Sequence, residues 1–370
     1  MLSSQTLDYR DKLILAPMVR VGTLPNRLLA LKYGADIVYS PETVDKALIK
    51  CRRVENDVLG TVDFVTQDNK LCLRVHPDER DKLVVQLGTA DPDLAVQAAL
   101  LVAGDVAGID VNCGCPKRFS LVSGMGAALL SNQEKLLAIL RNLIAKVPLP
   151  ITCKLRMIPN SEEGTFIENT IDLMRRIEAT GVKAIGLHCR FQTTKETQPG
   201  YWEIFKPVAE AISIPVIANG DIYTLEDVKR LKELSGISSF MMARAAEQNV
   251  SIFRREGPIP RREILEEYIR TAVQYNMPFH NCKYVVLIIW PTAMGKELRE
   301  KVAKARSYVD MCAAVGLEEY LEETVTARKR RASELQQQDR LLKDEIGELG
   351  AECPYIPEAP VLPSEVLATA

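Results

Sequence analysis

Eight short, nearly continuous apolar runs, separated by helix-length segments, predict an α/β chain built as a (β/α)8 TIM barrel. A stretch with only helical periodicity follows and predicts an all-α helical domain after the barrel. Strands that are apolar on both faces belong to parallel sheets covered by helices. Eight β/α units in roughly 250 residues match the size of a closed barrel. Periodicity alone does not separate this from a doubly wound sheet of the same strand count.

The expected strands are LILAP (13–17), ADIVYS (35–40), LVVQLG (83–88), GIDVNCG (108–114), ITCKLRM (151–157), AIGLHCR (184–190), PVIANGD (215–221) and SSFMMAR (238–244). Helix starts support them. After LVVQLG, Asp91 stands as an N-cap with Pro92 at the first helical position. After PVIANGD, Thr224 and Asp227 resemble a capping box, with Asp in place of Glu. Residues 51–82 break the alternation: TVDFVTQ (61–67) and LCLRVH (71–76) predict an inserted β-hairpin beside the barrel mouth.

The barrel is expected over 1–258 and the helical domain over 259–345. The latter contains RREILEEYIRTAVQY, HNCKYVVLIIW, GKELREKVAKARSYVDMCAAV and the long GLEEYLEETVTARKRRASELQQQDRLLKDEI. A tail over 346–370, with Pro354, Pro357, Pro360 and Pro363, is expected to be extended or disordered.

The 370 residues are 47% hydrophobic and 26% charged, a composition able to bury a large core. No run of about 18 uncharged apolar residues predicts a membrane span. The N-terminus carries early acidic residues and does not read as a secretion signal. Nine cysteines without framework spacing fit a reducing compartment. Cytoplasmic residence, with nuclear traffic open, and a monomeric chain are the expectations. The net charge of -2 argues against wholesale coating by nucleic acid, but it allows a local basic surface.

Barrel active sites lie at the C-terminal strand ends. Here those ends carry Pro17 and Met18, Glu42, Gln86, Asn112 and Cys115, Lys154, His188, Asn219-Gly220-Asp221, and Ala243-Arg244. Each has an ordinary explanation alone: a solvated lysine, a structural histidine, a turn. Their convergence on one rim points to a large planar polar cofactor with a phosphate. The loops after strands 7 and 8 form the usual phosphate cradle of such barrels, and Arg244 adds a bidentate cation. Lys154 and Gln86 are placed to bond the N1/O2 and N5/O4 edges of a flavin.

The pair Cys113 and Cys115 has the wrong spacing for zinc, and no further ligand cluster follows, so no metal is expected. A disulfide one residue apart would be strained. Cys113, Cys153 and Cys189 read as buried filling. Cys115, at the rim and before Pro116, reads as functional. An unperturbed thiol is mostly protonated at neutral pH, which suits a proton donor better than a nucleophile.

At this point LAPMVRVGTLPNRLL, DIVYSPE, VQLG, VNCGCPKRFSLVSGMGAALL, TCKLRM, GLHCR and VIANGDI together resemble the tRNA dihydrouridine synthases. APMVRVGTLP and CGCPKRFS resemble most the eukaryotic branch acting on tRNA position 20. The resemblance implies a catalytic cysteine at Cys115, with the motif's asparagine at Asn112. It implies FMN contacts at Pro17, Met18, Val19, Glu42, Gln86, Lys154, His188, Asn219, Gly220, Asp221, Ala243 and Arg244. It also implies reduction of FMN by NADPH, hydride transfer to C6 of a D-loop uridine, and protonation of C5 by the cysteine.

Animal members of this branch carry a further double-stranded-RNA-binding domain. Here only the proline-rich tail follows, so the barrel rim and helical domain are expected to hold tRNA. Lys117 and Arg118 would guide the nucleotide. Lys296, Arg299, Lys304 and Arg306, together with Lys301 and the run Arg328–Arg331, would meet phosphates. Without the resemblance, these charge runs read equally well as solvated helix faces. Two rival readings remain: an FMN barrel oxidoreductase of a small pyrimidine-like substrate, similar to dihydroorotate dehydrogenase, and a non-catalytic tRNA-binding protein.

Overall fold

The computed structural model describes residues 7–195 and 197–348, with side chains through 338. Eight parallel strands run in order: β1 (Leu13–Leu15), β2 (Ile37–Tyr39), β3 (Leu83–Gly88), β4 (Gly108–Cys113), β5 (Ile151–Arg156), β6 (Ala184–His188), β7 (Val216–Asn219) and β8 (Ser239–Met242). Neighbours in sequence pair in parallel, β8 returns to β1, and β2 also pairs with β3. The ring therefore has no edge, which decides against the doubly wound alternative. All eight strands fall inside the runs read from the sequence, trimmed by up to two residues at an end.

Two rows of inward side chains set up the site. Gln86, Asp110 and Thr152 are register neighbours on β3, β4 and β5. Two residues further along, Asn112, Lys154 and Gly186 are neighbours on β4, β5 and β6. Side chains alternate faces along a strand, so the two rows share one face, the second nearer the C-terminal mouth.

The helix caps behave as expected. Asp91 accepts from the N–H groups of Asp93 (2.9 Å) and Leu94 (3.0 Å), ahead of the helix Pro92–Val102. Thr224 and Asp227 form a reciprocal box at the start of Leu225–Ser235.

The insert holds three antiparallel strands rather than a two-stranded hairpin: Arg52–Asn56, Thr61–Val65 and Leu71–Val75. The first, RRVEN, has almost no apolar pattern. It is held by ladder pairing and by Arg53 on Asp105 (2.7 Å). The buried Arg27–Glu79 pair (2.6 Å) fastens the barrel's first helix, Leu24–Lys32, to the end of the insert.

Residues through Thr324 belong to one compact unit. Within it, helices Arg261–Gln274, Phe279–Ile289, Lys296–Lys304 and Tyr308–Val315 follow the barrel. Arg74 of the insert reaches the Tyr275 carbonyl, and Asn281 donates to the Arg20 carbonyl (2.8 Å). The segment GKELREKVAKARSYVDMCAAV forms two helices rather than one, because Ser307 and Asp310 make a capping box that starts a new helix. Residues 325–348 of the helix Glu318–Glu348 belong to a second unit. Of the expected tail, residues 346–348 end that helix, and 349–370 lie outside the described residues.

Candidate active site

The strand carrying the cysteines ends at Cys113 because the next turn is made by a side chain. Asn112 Oδ1 accepts from the N–H groups of Gly114 (2.9 Å) and Cys115 (3.1 Å), an Asx turn that replaces the ladder. Arg156 Nε donates to the Gly114 carbonyl (2.9 Å), and its Nη1 donates to the Phe191 carbonyl (2.9 Å). The Ala127 N–H holds the Cys115 carbonyl (3.0 Å). Gly126 makes that approach possible: it has φ +59°, and a Cβ there would lie 2.7 Å from the Cys115 carbonyl oxygen. Cys115 is thus pinned at the mouth from three sides.

Burial raises the Cys115 thiol above its ordinary pKa, and the neighbouring Glu42 charge adds to this. The Lys117 N–H and Ser120 offset part of the shift. The net direction keeps the thiol protonated at neutral pH. Cys113, Cys153 and Cys189 are fully buried, as expected of filling.

Glu42 packs on Gly88, where any Cβ would collide with the carboxylate at 2.6 Å. Both Glu42 oxygens are buried without a well-formed hydrogen bond, although Cys115 and Asn112 lie close enough to temper the effect of burial. Burial still raises this carboxyl. Lys154 rises beside Gly186, whose missing side chain leaves it room. Burial, with repulsion from Arg156, lowers the Lys154 ammonium to about 8, against opposing attraction from Asp110, Cys189 and Cys115. It makes no ion pair among the described residues. Gln86 is buried below and donates to Asp110 (2.8 Å).

His188 ends β6 and stands 3.3 Å from Arg190 Nη1 through its Nε2. A guanidinium can only donate, so Nε2 accepts and the ring proton sits on Nδ1. Burial, then the cations Lys154, Arg156, Arg190 and Arg244, hold this ring well below its ordinary pKa, so it is neutral.

The loops after β7 and β8 form the other end of the site. Asn219 Nδ2 donates to the Met241 carbonyl (2.8 Å). Gly220 has φ +126°, and a Cβ there would lie 2.5 Å from Cys189 Sγ, so only glycine fits. Asp221, at φ +53°, accepts from Arg190 (2.7 Å), from the Gly200 N–H (2.6 Å) and from Arg244. Burial opposes its ionisation, but these donors and the two guanidinium charges outweigh it and hold the carboxyl below its ordinary range. Arg244 also lies over the Tyr223 ring, 5.3 Å from its centroid. Asp221 and Arg244, read separately from the sequence, are therefore partners. Ala243 is half-buried, as is Pro17; Met18 is buried and Val19 is 60% exposed.

Sequence reading missed Arg156, Arg190 and Asp110. Arg156 and Arg190 each lie two residues beyond a rim residue on the same strand or its exit, a spacing that could have found them.

The candidate RNA-facing cations divide into two groups. Lys117 and Arg118 are exposed beside Cys115, next to the exposed Phe119 and Val122 on the short helix Arg118–Val122. Lys296 pairs with Glu300 (3.7 Å), and Lys301 pairs with Glu297 (2.8 Å). Arg299 spends its guanidinium on the carbonyls of Leu287 (2.6 Å) and Trp290 (2.9 Å). Lys304 and Arg306 are exposed and form no ion pair among the described residues. In the second unit, Arg330 and Arg331 share Glu334 (3.6 and 3.9 Å).

The mouth therefore offers a set of groups with unused bonding capacity: two Glu42 oxygens, the Lys154 ammonium and the neutral His188 N–H. Such a set fits a flat ring with polar edges. A model of the dihydrouridine synthase (Dus) family matches residues 14–344. A Schizosaccharomyces pombe protein named tRNA-dihydrouridine(20) synthase is 43% identical over 323 residues, 84% of this chain and 66% of that protein. A Saccharomyces cerevisiae protein of the same name is 35% identical over 378 residues, 92% of this chain and 96% of that protein. A Mus musculus protein named as tRNA-dihydrouridine(20a/20b) synthase-like is 30% identical, covering 72% of this chain and 76% of that protein. With a family match across most of its length, this chain belongs to the dihydrouridine synthase family.

Proposed function

We propose that this chain is an FMN-dependent, NADPH-driven reductase of a tRNA uridine, at position 20 of the D-loop. The observation that carries the reading is Cys115: a protonated thiol pinned at the barrel mouth, facing the groups that would hold the flavin ring. Gln86, Lys154 and His188, with the loop Pro17-Met18-Val19 and Glu42, would hold that ring. Asn219, Gly220, Asp221, Ala243 and Arg244 would receive its phosphate end, where the Arg244 guanidinium beside Asp221 would add a charge-assisted donor. When bound, FMN supplies hydride chemistry that no side chain can.

The chain's own residues supply the rest. The Cys115 thiol delivers a proton to C5 as C6 gains hydride, and it is then reprotonated from solvent. Burial and Glu42 keep the thiol in its acid form for the next cycle. Asn112 holds the loop so that the thiol does not retreat into the strand. Lys117 and Arg118 stand where the phosphates beside a flipped-out nucleotide would pass. Flipping costs least for a base already outside a duplex, as in a tRNA loop. Position 20 follows the names of the two fungal relatives.

The test is to map dihydrouridine position by position in tRNA from cells lacking this protein. Loss confined to position 20 is the expected result. Loss at another position corrects the site, and an unchanged map overturns the reading. Reduction of a free pyrimidine without any reduction of tRNA would move the chain to the small-molecule alternative.

A further inference from the structure

One row below the mouth lies a buried polar network of which the reading above uses only Gln86. Gln86, Asp110 and Thr152 are at most 2% exposed. Asp110 accepts at both oxygens: Oδ2 from Gln86 Nε2 (2.8 Å), and Oδ1 from Thr152 Oγ1 (2.7 Å). The Gln86 backbone N–H is held by Ser40 Oγ (3.1 Å). The Gln86 amide therefore has one end committed downward, and no described residue donates to its Oε1. Directly above this row stand Asn112 and Lys154, at the level assigned to the flavin ring.

We propose that Asp110 is a positioning residue that decides which end of the Gln86 amide faces the flavin, and that protonation of Asp110 reverses the choice. This rests on the FMN reading above. An ionised carboxylate only accepts, so it draws Nε2 down and turns Oε1 up, where it would accept from an N–H of a bound flavin ring. A neutral carboxyl carries a donor. It can give that proton to Oε1, and the amide then turns over to present Nε2 to a ring carbonyl or ring nitrogen. The two orientations bond different atoms of the ring, so they differ in the ring's visible bands.

The surroundings put the switch within reach of ordinary pH. Burial raises the Asp110 carboxyl to about 6; the bonds from Thr152 and Gln86 and the charge of Lys154 keep it from rising further. The titratable groups facing it are few. Lys154 lies above, at about 8. Tyr9, Tyr39 and Cys113 are pushed up by burial and stay neutral across this range. Cys153 is a fully buried neighbour on β5. Glu42, also raised by burial, is the rival for a step near 6, and Lys154 accounts for any change that begins only toward pH 8.

The experiment is a pH titration from 5 to 8 of FMN-loaded protein, read by the visible absorption of the bound ring rather than by turnover. The wild type should show a one-proton step near 6. Asp110→Asn should lose the step while still binding FMN, and Glu42→Gln should keep it. Gln86→Leu should also lose it, because the reporter amide is gone although Asp110 still titrates. Thr152→Val, which leaves the carboxyl in place, should move the midpoint upward, and it serves if Asp110→Asn fails to fold. A step that survives Gln86→Leu means that Asp110 acts by charge alone and overturns the proposal. A step lost in Glu42→Gln assigns it to the wrong carboxyl and overturns it too. FMN-loaded protein with no step overturns this inference alone; protein that binds no FMN overturns the cofactor reading as well.

Discussion

Cys115 and Lys154 show how burial sets chemistry one side chain at a time. On the proposed reading the raised thiol serves as an acid rather than a nucleophile, so Cys115→Ala should bind FMN and accept electrons from NADPH normally. Dihydrouridine formation should fall by about 10²–10⁴-fold, the usual share of a positioned general acid. Comparing flavin bleaching with product in the same sample checks this; product at the wild-type rate removes the acid role. Lys154 carries the opposite strain. Its folded pKa of about 8 lies below the ordinary 10.5, so the folded protein holds fewer protons than the unfolded chain between those values, and stability rises with pH across that window. At neutral pH the buried charge is a liability. Lys154→Met should raise the melting temperature at pH 7, by on the order of 1–3 kcal/mol in stability, and should weaken FMN binding. The stability gain should disappear by about pH 10.5; a variant less stable at pH 7 contradicts the account. Cys115 and Asn112 were legible because a turn residue, a glycine and a proline punctuate a strand end. Asp110 was not, since an inward acid in the middle of a strand is meaningful only once its neighbours on β3 and β5 are known.

At the scale of elements, the strands were legible because both faces of each are buried, which writes an unbroken apolar run. RRVEN was missed because an edge strand outside the core needs no such run: its backbone partners supply the ordering. The break at 305–307 was missed for a related reason. Helical period continues across it, and only the Ser307–Asp310 box marks the restart. The Cys115 loop is an element of its own, made by Asn112, Arg156, the Ala127 N–H and Gly126. Gly126→Ala combines a left-handed φ with a collision on the Cys115 carbonyl. It should cost about 1–3 kcal/mol in stability and slow product formation more than FMN binding. Thermal melting and a flavin titration on the same preparation separate the two, and a variant with wild-type melting and turnover would show that the loop tolerates the change.

For the whole molecule, a net charge of -2 means that RNA affinity has to come from local cations. The sequence marked the basic run but not which members are engaged elsewhere, because ion pairs and carbonyl contacts are properties of the fold. Lys296 and Lys301 have glutamate partners and Arg299 is structural, so on the proposed reading Lys304 and Arg306 are the cations that would meet phosphate. Replacing both by Ala should weaken tRNA binding and flatten the log affinity versus log salt slope by roughly 1–2. Lys296→Ala should change the slope little. Equal slopes for all three proteins would remove Lys304 and Arg306 from the interface.

The central claim is that a protonated Cys115 completes the reduction of a tRNA uridine. It is tested most directly by a single turnover: protein with pre-reduced FMN, mixed with unmodified tRNA, with dihydrouridine counted by mass spectrometry. The account predicts about one dihydrouridine per flavin for the wild type and little for Cys115→Ala, with the base reduced at position 20. Equal yields and rates from both proteins, or flavin reoxidation with no dihydrouridine from either, would contradict it.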